Sequence, residues 1–216
     1  MNCYLIRAES GYVLVDTGVG GSRKLLEKRL KEAGCQPGDL KLVILTHGDS
    51  DHAGNAAYLR EKFGAKISLH AADVPMVETG DMGWKRKARP DQVSPVFRVI
   101  MAASPLFVRA ARFEVFKPDF TLDEDFDLSA FGLNARIIHL PGHSKGSIGV
   151  LTAAGDLFCG DFVYNMAGFN MIDDLPDHRA SYEKVKGLDV KALYPGHGGA
   201  IPFDRFLKKS GHMPGY

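Results

Sequence analysis

The sequence predicts an α/β fold in a single domain, and three observations carry that expectation. The chain has 216 residues, enough to bury a sizeable core and within the range of one α/β domain. Short β-rich runs alternate with helical patterns from end to end. No linker, low-complexity stretch or solenoid-scale repeat interrupts the alternation. Hydrophobic residues make up 45% and the formal net charge is +1. Nothing in that balance points to nucleic acid or to an anionic membrane.

The elements follow in order. CYLI and YVLVDTG are β-rich runs joined through Ala8-Glu9-Ser10-Gly11, a hairpin signal. SRKLLEKRLKEAG places Leu25, Leu26 and Leu30 on one helix face, with Ser22 to cap its start and Gly34 its end. LKLVILTH is a buried strand, AGNAAYLREKFG the next helix and AKISLH the next strand. The segment at about 73–118 reads as a helical insert. Within it VSPVFRVIMAASPLFVRAARFEVF is apolar, with Arg98, Arg109 and Arg112 interspersed, and Pro95 and Pro105 mark two short helices. Phe97, Ile100, Met101, Leu106 and Phe107 are too many apolar groups for a lone surface loop. FTLDEDFDLSAFGLNARIIHLPGH reads as strands and turns, and SIGVLTAAGDLFCGD as a hairpin turning at Ala153-Ala154-Gly155-Asp156. HRASYEKVKGL is a helix starting near His178, and KALYPGHG a last strand.

The start shows no basic stretch followed by an apolar one, as a signal peptide would, and no apolar run is long enough to cross a bilayer. Cys3, Cys35 and Cys159 are odd in number, far apart and outside any CxxC pair. Reduced, buried thiols in a cytoplasmic protein are the expectation.

Seven potential metal ligands lie along this frame. They are His47, Asp49, Asp51 and His52 in THGDSDHAGN, His143 in PGHSKGS, Asp161 in CGDFVY and His197 in YPGHGG. Three imidazoles or carboxylates on each of two ions, with one carboxylate shared, make a two-metal hydrolytic site. HGDSDH alone reads as a surface turn; with the other segments in order, it reads as a ligand loop. His70, His139, His178 and His212 fall outside the pattern, and His139 reads as a packed or hydrogen-bonded histidine.

The order of segments resembles the metallo-β-lactamase superfamily, whose hallmark is an HxHxDH loop followed by distant His, Asp and His. VLVDTG, LPGHSKGSIGV, LFCGD and YPGHG are similar to its flanking segments, so the resemblance spans nearly the whole chain. It implies a four-layer αββα sandwich of two mixed β-sheets flanked by helices. It assigns His47, Asp49 and His143 to a first divalent ion, and Asp51, His52 and His197 to a second, with Asp161 bridging. Asp16 is similar to the family's aspartate that orients the ligand loop. Zinc is the first expectation, with manganese or iron as alternatives. The implied activity is hydrolysis of a small ester, thioester, lactone or related acyl substrate by a metal-bound hydroxide, with Asp51 holding and deprotonating the water. Tyr164 matches a tyrosine that contacts the substrate carbonyl in the acyl-homoserine lactonase branch; a wall aromatic is the plainer reading. Ser144 and Lys145 stand where a substrate oxyanion or carboxylate would be met, with ordinary loop residues as the equal alternative, and Asn165 and Asn170 on a pocket rim. Inserts at 73–118 cover the site or form a homodimer contact in the family; a helix pair packed on the domain's own core is the plainer alternative.

This sequence departs from the pattern at Asp49, where most members have histidine. A carboxylate there makes the site less positive, so its water is less acidic, and a harder donor favours manganese or iron over zinc. The flavodiiron oxidoreductases, which act on oxygen or nitric oxide, also carry an acidic residue there. A di-iron redox protein is therefore the alternative class, and a non-catalytic metal-binding domain a third. The chain has no room for a flavodoxin domain or for the C-terminal helical domain of glyoxalase II. Family members usually have a further strand or hairpin before NCYLI; either this protein lacks it or its start lies upstream.

Overall fold

Hydrophobic alternation along the strands fixes the architecture. The computed structural model of the protein describes residues 1–95, 98, 113–166 and 170–210. Five strands form one sheet: β1 (Tyr4–Ala8), β2 (Gly11–Val15), β3 (Leu40–Ile44), β4 (Lys66–Leu69) and β6 (Phe120–Thr121), in the order β1-β2-β3-β4-β6. β1 and β2 make the expected antiparallel hairpin, and β2, β3, β4 and β6 pair in parallel. The second sheet has the order β12-β11-β9-β8-β7. Its strands are β7 (Ala135–His139), β8 (Ile148–Thr152), β9 (Asp156–Gly160), β11 (Ala192–Pro195) and β12 (Ile201–Pro202). β9 and β11 are parallel and the other pairs antiparallel, so this sheet is mixed. β5 (Gln92–Val93) and β10 (Met171–Ile172) form a small antiparallel ribbon.

Successive side chains of a strand face opposite sides, and the apolar residues sort accordingly. Val13, Val15, Leu42 and Ile44 of the first sheet meet Ile137, Ile148 and Val150 of the second in one buried cluster between the sheets. Their neighbours Leu14 and Val43 point the other way. They pack on Leu26 and Leu30 of helix α1 (Arg23–Glu32) and on Leu59 and Phe63 of α3 (Ala56–Phe63). Ile138, Leu151 and Leu157 pack outward on Tyr182, Val185 and Phe206. These last belong to α5 (Leu175–Lys186) and α6 (Phe203–Ser210). Two sheets stacked face to face with helices on both outer sides are the expected four layers. Short helices α2 (Ser50–Ala53) and α4 (Val74–Thr79) complete the set used below.

Details differ from the sequence reading. Leu25 is 56% exposed, so the buried face of α1 is Leu26 and Leu30 alone. Ser22 occupies the position before α1 but caps nothing; its hydroxyl donates to the Val19 carbonyl. Helix α5 begins three residues before His178, because Asp174 accepts from the Asp177 amide and Pro176 suits a first turn. The expected insert contains α4 and β5. Of the residues named for it, Phe97, Ile100, Met101, Pro105, Leu106, Phe107, Arg109 and Arg112 lie outside the described residues, as does His212. All three cysteines are free. Among the described residues no helix is long and apolar enough to cross a membrane.

Candidate metal centre

Parallel strand directions bring the candidate ligands to one rim. β2 and β3 run parallel and lead into Asp16 and His47. In the other sheet β7, β9 and β11 all run one way, and lead into His143, Asp161 and His197. Loops at strand ends on a rigid sheet are well suited to hold chemistry in place. The two rims are tied directly: the Ile148 amide donates to the Thr46 carbonyl at 2.8 Å. Gly160, in the left-handed region at φ 51°, lets the sheets meet, because a Cβ there would lie 2.3 Å from Thr46 Oγ1. Gly196 has no such φ; a Cβ on it would strike Asp161 Oδ1 at 2.5 Å and the His52 ring at 2.6 Å.

Hydrogen bonds to the far side of each ring fix which nitrogen faces inward. Asp16 accepts from the Thr46 amide, the Thr46 hydroxyl and His52 Nδ1, each at 2.8 Å. It is buried and holds a left-handed φ of 60°, unusual for a residue other than glycine. His47 Nδ1 lies 3.1 Å from Thr46 Oγ1, whose own proton is committed to Asp16. His143 Nδ1 donates to the Met171 carbonyl at 3.1 Å. In all three, Nε2 is left as a lone pair facing the rim.

Those lone pairs converge on carboxylate oxygens. His47 Nε2 lies 3.3 Å and His143 Nε2 3.0 Å from Asp49 Oδ2. His52 Nε2 lies 3.3 Å from Asp161 Oδ1, and His197 Nε2 3.2 Å from Asp51 Oδ2. Asp161 Oδ2 stands 3.9 Å from His143 and 3.6 Å from His197. Three groups bring their ligand atoms within 4.8 Å of one another: His47, Asp49 and His143; His47, His52 and Asp161; Asp51, His52 and His197. The seven candidate residues are thus brought together, and Asp161 stands between the outer two groups. His47 Nε2, His52 Nε2, Asp49 Oδ1 and Asp161 Oδ1 are buried without a hydrogen-bond partner. Buried acceptors facing one another are costly unless a cation lies among them, so these donors fit divalent metal.

The electrostatics agree. Burial would lower the His52 pKa, but Asp16, Asp161 and Asp51 outweigh it and drive it well above the ordinary value. A field that favours a proton there favours a metal ion in its place. Burial would raise Asp49, yet Arg86 with His143 and His47 holds it well below the usual carboxylate range. Tyr164 points into the cluster: its hydroxyl donates to Asp161 Oδ2 at 2.8 Å, and its ring stacks on His197 with centroids 5.8 Å apart. Burial, reinforced by Asp161, pushes the phenol well above its ordinary value, so it stays protonated. The cavity beside the donors is also walled by Met82, Arg86, Pro90 and Met171.

Other sequence candidates are engaged elsewhere. Lys145 pairs with Asp174 at 3.0 Å and Asp177 at 2.7 Å, and the Ser144 hydroxyl donates to Asp73 at 2.7 Å. Asn165 braces the His197 loop: its amide donates to the His197 carbonyl and its side chain to Gly199. His139 stacks on His70 with centroids 4.2 Å apart. Two residues escaped the sequence reading. Asp73 accepts from the Gly48 amide, Ser144 and the Gly146 amide, joining the His47 loop to the His143 loop. Arg86 reaches Asp49 Oδ2 at 2.8 Å. Neither sits in a recognisable motif; a lone acid before a helix and one arginine in a basic run carry no signal.

A rim of paired imidazoles and carboxylates on two stacked sheets defines a metallo-hydrolase. The chain belongs to the metallo-beta-lactamase superfamily, whose family model matches residues 2–197. It is 30% identical to the probable metallo-hydrolase YflN of Bacillus subtilis, over 91% of this chain and 80% of that protein. It is 26% identical to the acyl-coenzyme A thioesterase MBLAC2 of Bos taurus, over 96% of this chain and 76% of that one. Among solved structures it is similar to TTHA1623 in a di-iron-bound form, at 25% identity and a TM-score of 0.66, covering 96% and 92% of the two chains.

Proposed function

We propose that this protein hydrolyses a small ester, thioester, lactone or related acyl substrate with two divalent metal ions. The observation that carries the reading is the set of buried, partnerless donor atoms on His47, Asp49, His52 and Asp161. His47, Asp49 and His143 would hold one ion and Asp51, His52 and His197 the other, with Asp161 shared. When bound, the ions supply an acidified water and polarise the substrate carbonyl. Asp51, whose side chain is 35% exposed, takes the proton from the attacking water and returns it to the leaving group. The Tyr164 phenol turns from Asp161 to donate to the carbonyl oxygen as charge develops on it. Thioesters are the first substrates to try, because the bovine relative is named for that activity. Zinc is the first metal to try; the iron in TTHA1623 and the hard Asp49 oxygen support iron as the second.

The test combines metal analysis with hydrolysis of simple aryl esters and short acyl thioesters. Asp161→Ala should lose most activity and retain at most one ion. Tyr164→Phe should keep its metal and lower kcat by about ten- to a thousandfold. Purified protein that takes up no divalent metal would sink the reading, and an Asp161→Ala enzyme of unchanged activity and metal content would remove Asp161 from it. A visible iron charge-transfer band with oxygen or nitric oxide reduction would favour the di-iron redox class instead.

A further inference from the structure

The first donor group already faces a cation supplied by the chain. Arg86 Nη2 lies 2.8 Å from Asp49 Oδ2 and 3.3 Å from His143 Nε2. It therefore addresses two of the three atoms that would hold the first ion, and the same Asp49 oxygen that faces His47. The side chains of Arg86 and Asp49 are only 12% and 14% exposed. Little water is available to screen the pair, and a guanidinium cannot shed its proton to make way for another cation. Asp73 and Asp173 add negative potential that keeps Arg86 in place. Among the described residues no cationic side chain makes a comparable contact with the other group: the side chains of Asp51, His52 and His197 meet one another, Asp16, Asp161, the Thr46 hydroxyl and neighbouring rings.

We propose that Arg86 competes with the first metal ion for Asp49. One divalent ion is then held tightly beside Asp51, His52 and His197, and the other only loosely beside His47, Asp49 and His143. A carboxylate oxygen shared with a guanidinium gives less of its charge to a metal, and the guanidinium repels the arriving ion. Asp49 and Arg86 thus act together. The acid replaces the family's usual histidine, and the base cancels the charge that the acid brings. The loose site follows metal supply, whereas the tight site stays filled.

The inference rests on the metal-dependent reading, and the two fail differently. Full-length protein stripped with a chelator is titrated with zinc against a chromophoric chelator, and bound ions are counted by elemental analysis. Wild type should bind two ions in separate steps. Arg86→Gln should tighten the weaker step by about tenfold or more and leave the stronger step in place. Arg86→Lys, which keeps a cation at the position, should retain a weak step near the wild-type value. Two wild-type ions of equal affinity would overturn the competition, and no variant is needed to see it. A weaker step that Arg86→Gln leaves unchanged or loosens would overturn it as well. No zinc bound at all would instead remove the proposed function. The stronger step and the far-ultraviolet circular dichroism report that each variant is folded.

Discussion

Asp73 shows how a residue with no part in coordination can decide whether a site forms. Its two oxygens accept three donors from two loops, one 25 residues before it in the chain and the other 71 to 73 residues after it. Asparagine has the same shape but turns one oxygen into a donor, which must then face an N–H or O–H. Asp73→Asn is expected to weaken metal binding by about ten- to a hundredfold, the usual cost of losing a group that orients a ligand. Zinc titration against wild type checks it, and unchanged binding would mean that the two loops hold without their shared acceptor. At this scale the sequence was legible where residue types repeat a known order. His47, Asp51, His52, His143, Asp161 and His197 announced themselves as candidates, and so did Asp16 in LVDTG. Asp73 and Arg86 did not, because their partners are chosen by folding and not by spacing.

At the scale of elements, strands were easier to read than helix ends. LKLVILTH and SIGVLTAAGDLFCGD gave β3 and the β8–β9 hairpin because alternation and turn residues are local signals. The start of α5 was read three residues late, because its cap is an Asp174 that looks like any loop acid. The turn after β4 carries a testable pH dependence. His70 follows this strand, its Nδ1 accepts from the Ala72 amide, and its ring stacks on His139. Burial, with His139 beside it, lowers its pKa from the ordinary 6.5. The unfolded chain therefore binds this proton more readily than the folded one. The folded state keeps its full advantage above pH 6.5 and loses it as pH falls below that value. His70→Asn keeps an acceptor for Ala72 but cannot titrate. Urea midpoints at pH 7.5 and 5.5 should fall less in the variant than in wild type. An equal fall in both would assign the acid sensitivity to other groups.

For the molecule as a whole, three apolar layers set the stability. The layer between the sheets is the most demanding, because both walls are rigid. Leu42 is fully buried there, and truncation leaves a hole that neither sheet can close. Leu42→Ala should cost about 2–5 kcal/mol, measured by urea unfolding. A loss near zero would mean that the two sheets slide together to refill the space. Four layers were legible only through the resemblance; alternation alone gave strands and helices without saying how many sheets they form. The pairing of β2 with β3 and of β9 with β11 joins segments far apart in sequence, and local pattern does not encode such partners.

The spread of the donors along the chain also sets an order of events in time. Every candidate donor group draws on residues from widely separated strands. The group containing Asp51 and His52 is finished only by His197, which follows β11 some 145 residues later. A nascent chain emerging from the ribosome can display the whole HGDSDH loop long before that histidine exists. Such a fragment offers scattered side chains to a passing ion, and the chelate itself is missing. Loading of a divalent ion would therefore wait on the slow pairing of distant strands. Once both halves have docked, an ion held by any of these groups would clamp the amino-terminal sheet to the carboxy-terminal one. Chelation should then lower the melting temperature of the finished protein while leaving the speed of its early collapse untouched.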